Sequence, residues 1–324
     1  MKSIRDERVD GGVGDVGGSR GSGGRDHDGA LFSNGQRRAR AASLVALLAD
    51  ESPTVERTVT RELVAADGSV VPELLRAAHA DDAALRGRAR LVLERRRFES
   101  AWKRLVAHLS KKSPDLETGL LRLSALAPDG EDPRPTRRRL ERLARSVARH
   151  IDGKPESLAR TFGLVEVLGG ELGFTGSEEG YHHPSRVFLH RALVERTGLP
   201  LTLVAIHLLV ARRLGLKATA VPIPGHVLLR LASGRRTLLV DPFHGGAIRS
   251  RAQVAAYLTE RGLPVKESWF EDADDRHLLR RQVWNLHRSF KEQGWHARAA
   301  RLRAAGGLLE GLRGAVTTAD AEGA

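Results

Sequence analysis

The stretch HVLLRLASGRRTLLVDPFHGG, His226 to Gly246, decides how the second half of the chain folds. Two apolar, strand-like runs, HVLLRL and TLLVD, are joined by the short segment ASGRR, which together read as a β-hairpin. A turn through Ser233 and Gly234 sets Ala232 opposite Arg235, and therefore His226 opposite Asp241. Opposed residues leave the same face of a sheet with Cβ atoms about 5 Å apart, close enough for a carboxylate to hold an imidazole in one tautomer and orientation. The register thus predicts a His226–Asp241 dyad. A slip of one residue would send the two to opposite faces. The plainer alternative is a His and an Asp that cap strand ends and bond loop amides.

Upstream of the hairpin, KATAVPI has strand character and leads through Pro224 and Gly225 to His226. Before it, GLPLTLVAIHLLVARRLGL is apolar on nearly all sides as far as Ala211, so it predicts a buried central helix. Thr202 stands near its start, and Gly215 ends it. A further helix is expected over Leu158–Leu172, stopped at Gly173. The loop TGSEEGYHHPS follows, then a helix through RVFLHRALVERTGLP closed by Gly198. The arginine-rich helix RRRLERLARSVARHI keeps Leu140, Leu143, Val147 and Ile151 on one face, so its basic residues read as a solvated side. It is preceded by the proline-rich break Ala127–Thr136.

The front of the chain differs. Residues 1–38 are rich in Gly, Asp, Arg and Ser and have almost nothing to bury, which predicts a disordered arm. From Ala39 onward, LVALLADESPTVERTVTREL matches LLRAAHADDAALRGRARLVL at a spacing of thirty residues, with Val55, Val59 and Leu63 falling on Leu85, Ala89 and Leu93. Two HEAT-like helical hairpins over 39–112 are one reading, and two unrelated amphipathic hairpins the other. The expected organisation is this module, a core over 113–250 and a helical tail over 251–324 with a frayed end: a helix-rich α+β protein.

The 324 residues carry no cysteine, which excludes disulfides, thiolate zinc sites and a Cys nucleophile together. Neither a signal peptide nor a membrane-spanning run is legible, so a soluble, cytoplasmic protein is expected. The formal charge is +13, but only eight of the 53 basic residues are Lys. Charge alone predicts at most unspecific, salt-sensitive attraction to nucleic acid.

RALVERTGLPLTLVAIHLLVARRLGL, PGHVLLR and DPFHGG, with LLRRQVWNLHRSFKEQGWHARAARLRAAGGLL downstream, resemble the bacterial SirB family, a transglutaminase-like core followed by a helical-pair, tetratricopeptide-like tail. The resemblance covers about residues 115 to 310. It implies a papain-like site in which a Cys at the central helix N-terminus is served by a His on one strand and an Asp on the next. His226 and Asp241 match the latter two. The Cys position offers only Pro200 or Thr202, and members of the SirB group likewise tend to place a hydroxyl there. Arg186 and His190 stand where Asn is expected, which puts a polar role at those points in doubt.

A Thr hydroxyl needs a base to take its proton during attack, and β-branching makes Thr202 an awkward nucleophile. Its plainer role is a helix N-cap. The expectation is therefore a cleft at the vestigial triad Thr202, His226 and Asp241 that binds a protein or peptide segment without catalysis. The alternatives are a hydrolase or acyltransferase using that triad, and a basic nucleic-acid scaffold. No cofactor is expected. No metal site is expected either: His226, Asp241 and His244, with His182 and His183 nearby, match no tight ligand spacing. His207 reads as a satisfied core histidine, and Trp284, Phe290 and Trp295 as packing residues of the tail.

Overall fold

The computed structural model describes residues 34–130 and 132–310. Most of the expected N-terminal arm and the frayed C-terminal end lie outside the described residues. Residues 34–38, however, already belong to a helix, α1 (Asn34–Ala46), so the arm expected over 1–38 gives way to helix earlier than composition suggested. The reason is that Asn34 to Ala46 leads into buried Ala41 and Val45, and a helix extends outward from whatever residues it can anchor.

The chain divides into two compact units, Met1–Val92 and Leu93–Ala324. In the first, α1 is followed by α2 (Pro53–Ala65), α3 (Val71–Ala77) and the start of α4 (Ala83–Leu109). Pro53 sits at the first position of α2, where its missing N–H costs nothing. The repeated triplets agree at two positions of three: Val55 and Leu85 are half-buried and Val59 and Ala89 are buried, whereas Leu63 is buried and Leu93 only half-buried. The division between the units falls inside α4, and residues 251–310 share a unit with 113–250.

The second unit is a helix-rich α+β structure. The buried helix α9 (Pro200–Arg213) lies at its centre, with every residue from Pro200 to Ala211 buried. Around it are α5 (Leu116–Ser124), α6 (Pro133–Ile151), α7 (Leu158–Val165) and α8 (Leu189–Glu195). After α7 the chain makes a π-helical turn, Glu166–Glu171, and leaves it through Gly173 at φ +69°. Expected as one helix to Leu172, this segment widens instead of continuing. Helix α8 is shorter than expected and is closed by Arg196, which takes the left-handed conformation (φ 57°) that Gly198 was expected to supply. Gly198 serves a different need. A Cβ there would lie 3.2 Å from both the Arg186 carbonyl oxygen and Thr202 Cβ, so its absence lets the two segments approach.

Four strands form one antiparallel meander on α9: β1 (Lys217–Ile223), β2 (His226–Ser233), β3 (Arg236–Asp241) and β4 (Ala247–Arg249), in the order β1-β2-β3-β4. Helix α10 (Arg251–Glu260) follows, opened by a capping box in which Ser250 and Gln253 satisfy each other's backbone N–H groups. Last come α11 (Asp275–Glu292) and α12 (His296–Glu310), which pack on each other. Their apolar residues Leu279, Val283, Leu286, Phe290 and Leu302 join one core with α5, α6, α9 and the sheet. Asp275 ties three helices together, accepting from the Leu116 N–H at 2.9 Å and from Arg212 at 2.5 and 3.0 Å.

Candidate functional site

The site begins with two turns. Ile223 pairs with His226 across Pro224-Gly225, and Gly225 adopts φ +72°, so the two strands meet as tightly as antiparallel strands can. At the other end of β2, Ser233 pairs with Arg236, so the turn passes through Gly234 and Arg235. The expected Ser233-Gly234 turn is displaced by one residue. Gly234 has φ +58° while Arg235 does not have positive φ, and glycine in the first of two central positions is what a type II′ turn requires.

This correction changes the register but not the dyad. Leu229 faces Val240, so Asp241 lies diagonally across from His226 and not directly opposite it. The pairing has shifted by two residues, and a shift of two preserves the face on which every side chain stands. Diagonal neighbours are about 7–8 Å apart at the backbone, a gap that an imidazole and a carboxylate can close. They do: His226 Nε2 and Asp241 Oδ1 are 2.9 Å apart.

Asp241 is the centre of the arrangement. Its side chain is 3% exposed, and it also meets His244 Nδ1 at 2.7 Å through Oδ2 and Arg249 Nε at 3.4 Å. It caps the short turn Pro242–His244, which explains why His244 folds back onto it. Burial by itself would raise the Asp241 pKa. The hydrogen bond and charge of His226, then those of His244, outweigh burial and hold it at about 2. Phe243 stands edge-on to the His226 ring at 5.9 Å between centroids and to Tyr181 at the same distance, forming the apolar side of the site.

Thr202 is not part of this arrangement. Its hydroxyl is buried, donates to the Val187 carbonyl at 3.5 Å and accepts from Gln282 Nε2 at 3.0 Å. Gln282 Nε2 also donates to the Val187 carbonyl at 2.7 Å. The expected N-cap role fails too, because the capping position of α9 is Leu199 and Thr202 lies one turn inside. The residues of α9 that line the cleft with His226 are instead Pro200 and Leu201, following Leu199. The cleft is also lined by Tyr181 and His182 from the loop and by Arg281, Asn285 and Arg288 from α11. Arg281 also holds the Pro224-Gly225 turn through the carbonyls of Ile223, at 3.2 and 3.3 Å, and His226, at 3.3 Å.

Among the other expected residues, Arg186 pairs with Glu195 at 3.1 Å and His190 lies 3.5 Å from Asp129, so neither faces the cleft. His183 bonds Ser185, and His182 lies 3.8 Å from Glu292. His207 is fully buried, but only half satisfied. Its Nδ1 meets the Leu203 carbonyl at 2.8 Å while Nε2 has no partner among the described residues, and burial lowers its pKa to about 4. Gln282 and the cleft face of α11 were not singled out in the sequence. The available signal was a Gln between Leu279 and Val283 on the apolar side of a core helix, a position where a polar group must have a partner.

The family model of the transglutaminase-like superfamily matches residues 134–283. A UPF0162 protein of Xylella fastidiosa is 34% identical over 141 residues, 40% of this chain and 49% of the relative. Protein SirB1 of Salmonella typhimurium is 30% identical over 159 residues, 48% of this chain and 58% of the relative. F-box only protein 21 of Homo sapiens is 28% identical over 135 residues, 40% of this chain and 21% of the relative. The chain thus spans about half the length of the bacterial relatives it matches. No solved structure matches it.

Proposed function

Because the chain is a transglutaminase-like protein of the SirB kind, we propose that it uses the cleft beside His226 to bind a peptide or protein segment without cleaving it. The observation that carries this reading is the engagement of Thr202. A nucleophilic hydroxyl must reach the base that deprotonates it, and the Thr202 hydroxyl is held by Gln282 and the Val187 carbonyl instead. In its place, Leu199, Pro200 and Leu201 give the cleft a smooth apolar wall. The same cleft is lined by residues whose polar groups suit a peptide backbone, the Asn285 amide, the Tyr181 hydroxyl and the Arg288 guanidinium. An extended segment could thus lay apolar side chains on that wall and bond its amides to these groups.

The reading is tested by selecting displayed random peptides on the full-length protein and measuring the affinity of the enriched sequences. Asn285→Ala and Tyr181→Ala should each weaken binding by about tenfold, the loss of one good hydrogen bond or aromatic contact. Peptides that bind these variants unchanged, or that are recovered cleaved, would overturn it.

One observation favours a second reading, a hydrolase or acyltransferase: the His226–Asp241 pair is intact although no cysteine is present. That reading requires Thr202 to give up both of its present partners during turnover.

A further inference from the structure

We infer that His226, Asp241 and His244 form a binding site for a divalent transition-metal ion of the Zn2+ type. Each of the three residues offers a ligand atom, and these atoms all lie within 4.8 Å of one another. Two ring nitrogens already converge on one carboxylate, His226 Nε2 on Oδ1 at 2.9 Å and His244 Nδ1 on Oδ2 at 2.7 Å. Ligands bonded to tetrahedral zinc at 2.0–2.2 Å sit about 3.3 Å from one another, so the two imidazole–carboxylate spacings open by a few tenths of an ångström while the wider separation, within 4.8 Å, closes toward the same value.

The chemistry of the donors selects the ion. Two imidazoles and one carboxylate suit Zn2+, Ni2+ or Cu2+, whereas Ca2+ and Mg2+ seek all-oxygen shells. Three protein ligands leave a fourth position for water or another small ligand. To bind, the ring nitrogen that faces Asp241 must be free of its proton in each histidine, the proton passing to the ring's other nitrogen or to solvent. That is feasible at both: His244 is 53% exposed on its side chain, and His226 Nδ1 has no hydrogen-bond partner among the described residues. His244 also provides the path of entry, since Asp241 behind it is nearly enclosed.

The ligands are held in place by backbone geometry. Asp241 ends β3 and caps the turn that carries His244, Gly246 N–H returns to the Asp241 carbonyl at 2.9 Å, and Gly245 and Gly246 take positive φ. One group opposes the ion. Arg249 Nε, 3.4 Å from Asp241 Oδ2, competes for the carboxylate.

Zn2+ alone is titrated into the full-length protein by calorimetry in a non-chelating buffer at neutral pH, with the His ring signals followed by NMR. One equivalent should bind and shift the rings of His226 and His244. His244→Ala, an exposed position whose loss leaves the core intact, should weaken that site by at least about tenfold. Arg249→Gln should tighten it several-fold, a result that adventitious binding to the other surface histidines would not give. Binding of equal strength in wild type and His244→Ala, or His226 and His244 rings that do not respond to one equivalent, would overturn the inference.

Discussion

At the scale of the residue, Asp241 sets the character of the site. Its carboxylate accepts from two imidazoles and faces an arginine, so removing its charge weakens the support of the buried His226 ring and of the more exposed His244 and Arg249. Asp241→Asn should cost about 1–3 kcal/mol of stability near neutral pH. The pH dependence follows from the depressed pKa. Between the unfolded value, 3.8, and the folded value, about 2, the unfolded chain binds the extra proton, so stability rises with pH across that window. The Asp241 contribution is complete above about 3.8 and is lost as pH falls through about 2. Urea denaturation between pH 2 and 6 should show this acid limb in the wild type and a shallower one in Asp241→Asn. Equal limbs would place the carboxylate outside the network. The sequence brought His226 and Asp241 together because hairpin parity is a local property. It could not show that His244 and Gln282 matter, since His244 depends on the cap that Asp241 makes and Gln282 acts from a helix eighty residues away from Thr202.

At the scale of the element, the β2–β3 hairpin shows what sequence reading captures. Strand identity and the shared face were legible from the apolar runs, but the turn was not, because ASGRR offers adjacent two-residue turns that both include Gly234. Backbone handedness decides between them: positive φ belongs at the first central position, where Gly234 stands. Gly234→Ala should therefore destabilise the protein by about 1 kcal/mol or more, because Ala at positive φ meets its own carbonyl. Gly234→Asn should cost less. Thermal melts of the two variants test this, and equal stability of Gly234→Ala with the wild type would mean the turn does not need a left-handed residue. The same reasoning applies to α8. Its end was expected at glycine, yet Arg196 takes the left-handed position, with its guanidinium donating to the Leu172 carbonyl at 3.0 Å.

At the scale of the molecule, the second unit is more unified than its sequence suggests. The tail was expected as a separate segment from residue 251, because amphipathic helices show which face is apolar but not what covers it. Here α11 and α12 are buried in the same core as α9, and α11 also supplies Gln282 to Thr202 and Arg281, Asn285 and Arg288 to the cleft. Deleting residues 275–310 should consequently abolish cooperative unfolding and leave an aggregation-prone chain, measured by calorimetry and size-exclusion chromatography. A truncated protein that melts cooperatively would mean the tail is a dispensable appendage. Among the described residues, no helix is long and apolar enough to cross a membrane. Whether the His226–Asp241 dyad serves a nucleophile is decided by exposing the full-length protein to a panel of activated esters and amides and measuring its intact mass and the modified peptide. Binding without catalysis predicts no acyl adduct on Thr202 and the same background hydrolysis in Thr202→Val. Stoichiometric acylation of Thr202 that disappears in His226→Ala would contradict it.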